Sequence, residues 1–224
     1  MTLTGIATGS RGNCYALEDS EGRKLLLDAG ISYKSILRGI GYNTLGIQGI
    51  CVTHTHMDHY RAVPEMEKLR FSVFKGYESE VIQSMQMGPY TVKSFRVEHD
   101  VPCCGYHITH DEMGTLVYFT DTEYCKYRFA AEHFLVECNY DERLLDDEHP
   151  ALEHVLRGHM ELKTTVGFLQ NSVSRRTRTV TICHMSEQNL DLFTASKDIQ
   201  DSLPEGVAFH IASPGEKILL QKGE

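Results

Sequence analysis

The stretch Gly49-Ile50-Cys51-Val52-Thr53-His54-Thr55-His56-Met57-Asp58-His59 runs an apolar segment straight into three imidazoles and a carboxylate. Its first five residues are small, apolar or β-branched, which predicts a buried strand. His54 and His56 alternate, so in extended backbone both point to one side. Asp58 and His59 follow as the chain turns and are placed to face a second ion. With 12 His and 12 Asp among 224 residues, an H-x-H-x-D-H run arises by accident in about two chains in a thousand. Neutral imidazoles with a carboxylate suit a borderline dication such as Zn²⁺ or Mn²⁺ and need no thiolate.

Outward from that run, composition narrows the classes. Hydrophobic residues at 41% and charged residues at 24% exclude a disordered or collagen-like chain. The length suits one domain over residues 1–224. The longest apolar runs, such as Leu25-Leu26-Leu27, are too short to cross a bilayer, so no membrane partner is expected. The start, Met1-Thr2-Leu3-Thr4-Gly5, lacks the basic and apolar regions of a signal peptide, and a cytoplasmic protein is expected. A net charge of −9 argues against a broad basic face, so a phosphate-bearing substrate must be attracted locally. The cluster Arg175-Arg176-Thr177-Arg178 reads more readily as a solvated loop than as such an attractor. Seven cysteines (14, 51, 103, 104, 125, 138 and 183) are odd in number and follow no framework spacing, which predicts reduced thiols, several within strands.

Strand patterns fall at residues 3–7, 14–18, 24–28, 49–53, 71–74, 92–97, 106–109, 116–120, 134–137, 180–183, 207–211 and 217–220. Helical patterns fall at 33–40, 64–70, 79–87, 164–172 and 188–202, with Pro64 suited to a first helical turn. This α/β layout, strand-rich early and alternating later, predicts sheet layers covered by helices.

The His-rich run resembles the hallmark of the metallo-β-lactamase superfamily. Other segments are similar to further motifs of that family, in the same order: Lys24-Leu25-Leu26-Leu27-Asp28-Ala29-Gly30, Val97-Glu98-His99-Asp100, Val117-Tyr118-Phe119-Thr120-Asp121-Thr122 and Thr181-Ile182-Cys183-His184-Met185-Ser186. The segments Ala7-Thr8-Gly9-Ser10-Arg11-Gly12-Asn13-Cys14, Glu137-Cys138-Asn139, Gly158-His159-Met160 and His184-Met185-Ser186-Glu187-Gln188-Asn189 are most similar to the small cytosolic branch that includes the YycJ/WalJ-like proteins. Ribonuclease Z and the phosphodiesterase of phosphonate metabolism are more distant likenesses.

The resemblance implies a four-layer αβ/βα sandwich, two mixed sheets flanked by helices. It also implies two divalent ions, Zn²⁺ or Mn²⁺, one held by His54, His56 and His99 and the other by Asp58, His59 and His184, with Asp121 bridging. Two ions about 3.5–4 Å apart would share a hydroxide as nucleophile. Asp58 and His159 are the implied catalytic residues, and Asp28 is a supporting residue that orients a ligand. His159 reads equally as a leaving-group donor or as a surface histidine at a helix start. Ser10 and Asn13, in a glycine-bounded loop, are candidate substrate contacts, against the simpler reading of a tight hairpin. His107, His110, His133, His149, His154 and His210 read as ordinary surface or core histidines. Cys183 is expected to point away from His184's side of its strand.

The function implied is hydrolysis of a phosphodiester in nucleic acid or in a small, possibly cyclic, nucleotide. Forty residues from His59 to His99 and 22 from His99 to Asp121 leave no room for a long tRNA-gripping arm, which counts against tRNA maturation. A thioester or lactone hydrolase of the glyoxalase II type, and a non-enzymatic metal-binding regulatory module, stay open as alternatives. The resemblance leaves room for a homodimer.

Overall fold

The computed structural model describes residues 1–146 and 152–223, so His149 lies outside the described residues. Three antiparallel strands begin the chain: β1 (Thr2–Ala7), β2 (Cys14–Glu18) and β3 (Lys24–Leu27). Leu25, Leu26 and Leu27 are all fully buried, as a strand covered on both faces requires. Helix α1 (Tyr33–Gly39) starts at Ser32, whose hydroxyl accepts from Ser35 N, and leads to β4 (Ile47–Cys51), parallel to β3. Two short helices follow, α2 (Met57–Tyr60) and α3 (Val63–Lys68, with Pro64 in its first turn), before β5 (Val73–Phe74). With the last strand of the chain, β13 (Lys217–Leu219), these strands make a six-stranded sheet in the order β13-β1-β2-β3-β4-β5.

The second sheet has seven strands. β6 (Ser84–Met87), β7 (Tyr90–Val97), β8 (Cys103–His110) and β9 (Gly114–Phe119) form an antiparallel meander. β10 (His133–Glu137), β11 (Thr179–Cys183) and β12 (Ala208–Ile211) then continue parallel to β9. Helices α4 (Leu152–Gly158) and α5 (Leu162–Ser172) connect β10 to β11, and α6 (Leu192–Ser202) connects β11 to β12. Glu161 and Asp191 cap α5 and α6 by accepting from Thr164 N and Thr194 N.

The core has two parts. Leu3, Leu25 and Ile50 of the first sheet meet Tyr106, Ile108, Tyr118 and Leu135 of the second, joined by Ile36 of α1 and Met66 of α3. On the other face of the second sheet, Phe119, Phe134 and Val136 pack beneath Phe168 and Leu169 of α5 and Ile199 of α6. Two mixed sheets flanked by helices are the expected architecture. No helix among the described residues is long and apolar enough to cross a membrane.

Two local expectations change, and one helix was not expected. Residues 79–87 hold no α-helix: residues 84–87 pair antiparallel with β7 around Gly88-Pro89, where Gly88 takes φ +56°. Strand pairing overrode a helix-like apolar spacing there. The last long helix begins at Leu192 rather than residue 188, because Asp191 supplies the cap. Helix α4 carries no signal strong enough to have been foreseen.

Candidate active site

The chemistry-bearing residues stand where strands end. Asp28 follows β3, His99 lies two residues past β7, Asp121 two past β9, Glu137 closes β10 and His184 follows β11. The run from His54 to His59 leaves β4 and enters α2, where Asp58 and His59 sit in one turn. Asp28, Asp121 and His184 adopt φ of 58°, 52° and 51°. Left-handed backbone at a non-glycine residue costs about 1–3 kcal/mol and persists only where the surroundings enforce it. Here it swings each side chain sharply off its strand and into a common space.

Two groups of side chains that could hold a metal ion result. The ring centroids of His54, His56 and His99 lie 4.7, 4.8 and 5.0 Å apart. Asp58 Oδ2 lies 3.5 Å from both His59 Nε2 and His184 Nε2. Asp121 stands between them, its Oδ2 3.0 Å from His59 Nε2, and groups with His54 of the first set as well as His59 of the second.

Ring orientation is enforced from behind. Asp28 Oδ2 accepts from His59 Nδ1 at 2.7 Å and from the Tyr118 hydroxyl at 2.5 Å, while Oδ1 accepts from Thr53 N at 2.8 Å. Thr53 Oγ1 lies 3.0 Å from His54 Nδ1, and Glu137 Oε1 lies 2.8 Å from His184 Nδ1. Each contact engages Nδ1 and leaves Nε2 toward the cleft. His54 Nε2, His99 Nδ1 and His184 Nε2 are buried without any hydrogen-bond partner. Buried polar atoms left unpaired are costly, and a dication is the partner that several converging imidazole nitrogens fit. Burial pushes His54 well below the usual imidazole range, which keeps its ring neutral, as a metal ligand must be. Burial works against the charge of Asp121, but His184 and His59 hold its carboxyl well below the usual range. Burial raises the thiols of Cys104 and Cys138 to about 12, so they stay protonated and outside any ligand set.

The cleft over these groups encloses about 320 Å³, and Ser10, Asp58, Asn139, His159, Ser186 and Asn189 are among its lining residues. Asn13 does not reach it. That side chain is fully buried, tied to both backbone groups of Gly9, with Nδ2 3.0 Å from His59 Nε2. Gly12 N donates to Gly9 O and Gly9 N to Asn13 Oδ1, which closes the loop as a tight turn.

A model of the metallo-beta-lactamase superfamily matches residues 7–124. The chain belongs to the metallo-beta-lactamase superfamily. That match spans six of the seven expected metal ligands; His184 lies beyond it, as do Glu137 and His159, which group with Asp121 and His184. This superfamily member is 26% identical over 219 residues to the exodeoxyribonuclease WalJ of Streptococcus pneumoniae serotype 2, covering 82% of this chain and 81% of that protein. Among solved structures it is similar to the metallo-beta-lactamase fold protein YhfI from Bacillus subtilis, with a TM-score of 0.71 at 16% identity, covering 97% and 98% of the two chains. Human tRNase Z, short form, has a TM-score of 0.63 at 17% identity, covering 98% and 99%.

Within this metallo-beta-lactamase fold, the structure adds residues that sequence reasoning gave no role. Glu137 is fully buried and accepts from Met160 N and Thr122 N through Oε2, while Oε1 holds His159 Nδ1 and His184 Nδ1, each at 2.8 Å. A lone carboxylate closing the apolar strand His133–Glu137 was the signal available. Asp100 lies 3.0 Å from His99 Nε2 and 3.5 Å from His56 Nε2. The Arg175–Arg178 cluster stands before β11, at the opposite end of that strand from His184, and Arg176 pairs with Glu132.

Proposed function

We propose that the protein is a dinuclear metal-dependent phosphodiesterase that degrades DNA from an end. His54, His56 and His99 would hold one ion, Asp58, His59 and His184 the other, with Asp121 shared. Zn²⁺ and Mn²⁺ both suit this nitrogen-rich set. Such ions supply Lewis acidity to a water molecule and to the phosphate oxygens when bound. The likeness to a protein named exodeoxyribonuclease over four-fifths of both chains supports DNA as the substrate.

The observation that carries the reading is the Glu137–His159 pair at the wall of the ligand sets. Burial would lower the pKa of His159, but Glu137 beside it raises the value overall and favours the protonated ring. Glu137 engages Nδ1, leaving Nε2 to reach into the cleft and give a proton to the departing sugar oxygen. Asp58, lining the same cleft, is the carboxylate placed to accept a proton from the attacking water. Ser10, whose residue is exposed at the rim, would hydrogen-bond the substrate.

An assay with Mn²⁺ or Zn²⁺ on end-labelled DNA, bis-p-nitrophenyl phosphate, an acyl-glutathione thioester and a β-lactam tests this. Release of mononucleotides and of p-nitrophenol is expected, together with about two ions per chain by elemental analysis. Turnover confined to the thioester would overturn it. The solution mass decides between one chain and a homodimer.

A further inference from the structure

We infer that residues 124–128 and helix α5 form a track that holds a single DNA strand as it leaves the metal centre; this rests on the phosphodiesterase reading above. The parallel strands β9 and β10 are joined by residues 120–132, which contain no helix. That connection starts at Asp121 in the candidate site and returns to the far end of the sheet. Its side chains alternate, as extended backbone requires. Tyr127 and Phe129 turn inward onto Phe95, with ring centroids 5.6 and 4.7 Å away, and Phe129 also meets Phe168 of α5 at 6.5 Å. Tyr124, Lys126 and Arg128 turn outward and are exposed. An anchored ribbon therefore presents an aromatic ring and two cations along about 13 Å, at about 3.3 Å per residue.

Between this ribbon and α5 runs a cleft of about 200 Å³. Tyr124, Lys126 and Arg128 line one side, and Thr164, Gly167 and Asn171 the other, with no carboxylate among the lining residues. Two cations face this cleft in a chain of net charge −9, with the nearby acids Glu98 and Glu123 outside its lining. A Cβ on Gly167 would meet nothing within 4 Å, so the wall is open there. Arg128 forms no ion pair among the described residues. Lys126 reaches Glu98 at 3.4 Å with both side chains half exposed, a contact weak enough to give way to a phosphate. Rings that stack on bases, cations spaced along an extended path and hydroxyl or amide donors opposite them are the elements that hold single strands without regard to sequence. The ribbon begins three residues after Asp121, so a strand held on it would extend from the scissile phosphate along α5.

Steady-state kinetics of the metal-loaded enzyme on oligodeoxythymidylates of increasing length, and on bis-p-nitrophenyl phosphate, test the track in the Lys126→Ala/Arg128→Ala and Tyr124→Ala variants. The wild-type KM should fall with length. In the double variant the oligonucleotide KM should rise about tenfold with kcat unchanged, and the salt slope of log kcat/KM should shrink by about 1.4, from two lost phosphate contacts. Tyr124→Ala should raise that KM about fivefold or more without changing the slope. All three proteins should hydrolyse bis-p-nitrophenyl phosphate alike. Unchanged oligonucleotide kinetics in the variants, or equal losses on both substrates, would overturn the track while the phosphodiesterase reading stands. Should no phosphodiester be hydrolysed, anisotropy of a fluorescent phosphorothioate oligodeoxythymidylate still decides: equal affinity in wild type and double variant rejects the track. Equal dependence with a blunt duplex would reject a single-strand role.

Discussion

His159 joins two environments: its ring lines the cleft, while Nδ1 is held by a carboxylate with no solvent contact. That combination suits proton donation to a leaving group. If the proposed dinuclear centre forms, His159→Ala should leave its metal content unchanged but lower kcat by about 10²–10⁴-fold on an alkyl phosphodiester. A p-nitrophenolate leaving group needs no proton, so bis-p-nitrophenyl phosphate should be much less affected. Parallel kinetics on the two substrates, with elemental analysis of the variant, check this. Equal losses with metals retained would assign His159 to holding a phosphate oxygen instead. Glu137 binds His184 through the same oxygen, so its removal would disturb a candidate ligand as well as the donor. His159 is therefore the cleaner test.

At the scale of elements, the approach of α2 to the turn after β3 builds the site. Ala29 N donates to His59 O at 2.9 Å and Ala62 N to Ala29 O at 2.8 Å, tying α2 and the residue pair after it to the turn, while Asn13 N of the β1–β2 loop donates to Asp58 O at 2.7 Å. Gly30 permits this contact, because a Cβ there would stand 1.6 Å from Asp58 O. Gly30→Ala should push α2 outward, destabilise the fold by about 1–3 kcal/mol and reduce metal retention after dialysis. Urea unfolding and elemental analysis read the two effects separately. Full metal retention would mean that α2 need not sit where it does to place Asp58 and His59.

Across the whole molecule, the second sheet closes around His133 at the start of β10. Its Nε2 donates to Met113 O at 3.0 Å, its Nδ1 lies 2.9 Å from Thr179 Oγ1, and the ring is fully buried. Burial lowers its pKa to about 4. The unfolded chain takes up a proton there below about pH 6.5, whereas the folded protein does so only near pH 4. The contribution to stability is thus present above pH 6.5 and is lost as pH falls toward 4, amounting to about 3 kcal/mol. In chelator, the difference in unfolding free energy between wild type and His133→Gln should narrow by up to that amount over this interval. A constant difference would mean that the folded ring takes up its proton at the same pH as in the unfolded chain. Residues 1–224 as one folding unit would appear in the same melts as a single transition.

The histidine run after β4 was legible because its chemistry is local: six residues carry four donors, and an apolar strand before them says where they stand. His99, Asp121 and His184 were reachable through the resemblance of their segments to later motifs of the superfamily, each after an apolar strand. Composition and periodicity likewise specified an α/β chain with helix-covered sheets. Only tertiary structure decided the rest. Glu137 lies 22 residues from His159 and 47 from His184, and nothing in its neighbours announces that one buried oxygen serves both. Asn13 sits in a loop that suggests a substrate contact, yet the packing of α2 turns it inward toward His59. Residues 84–87 became a strand because β7 offered an edge to pair with. In each case the deciding partner is remote in sequence, and pairing, burial and charge compensation are properties of the assembled layers rather than of any segment read alone.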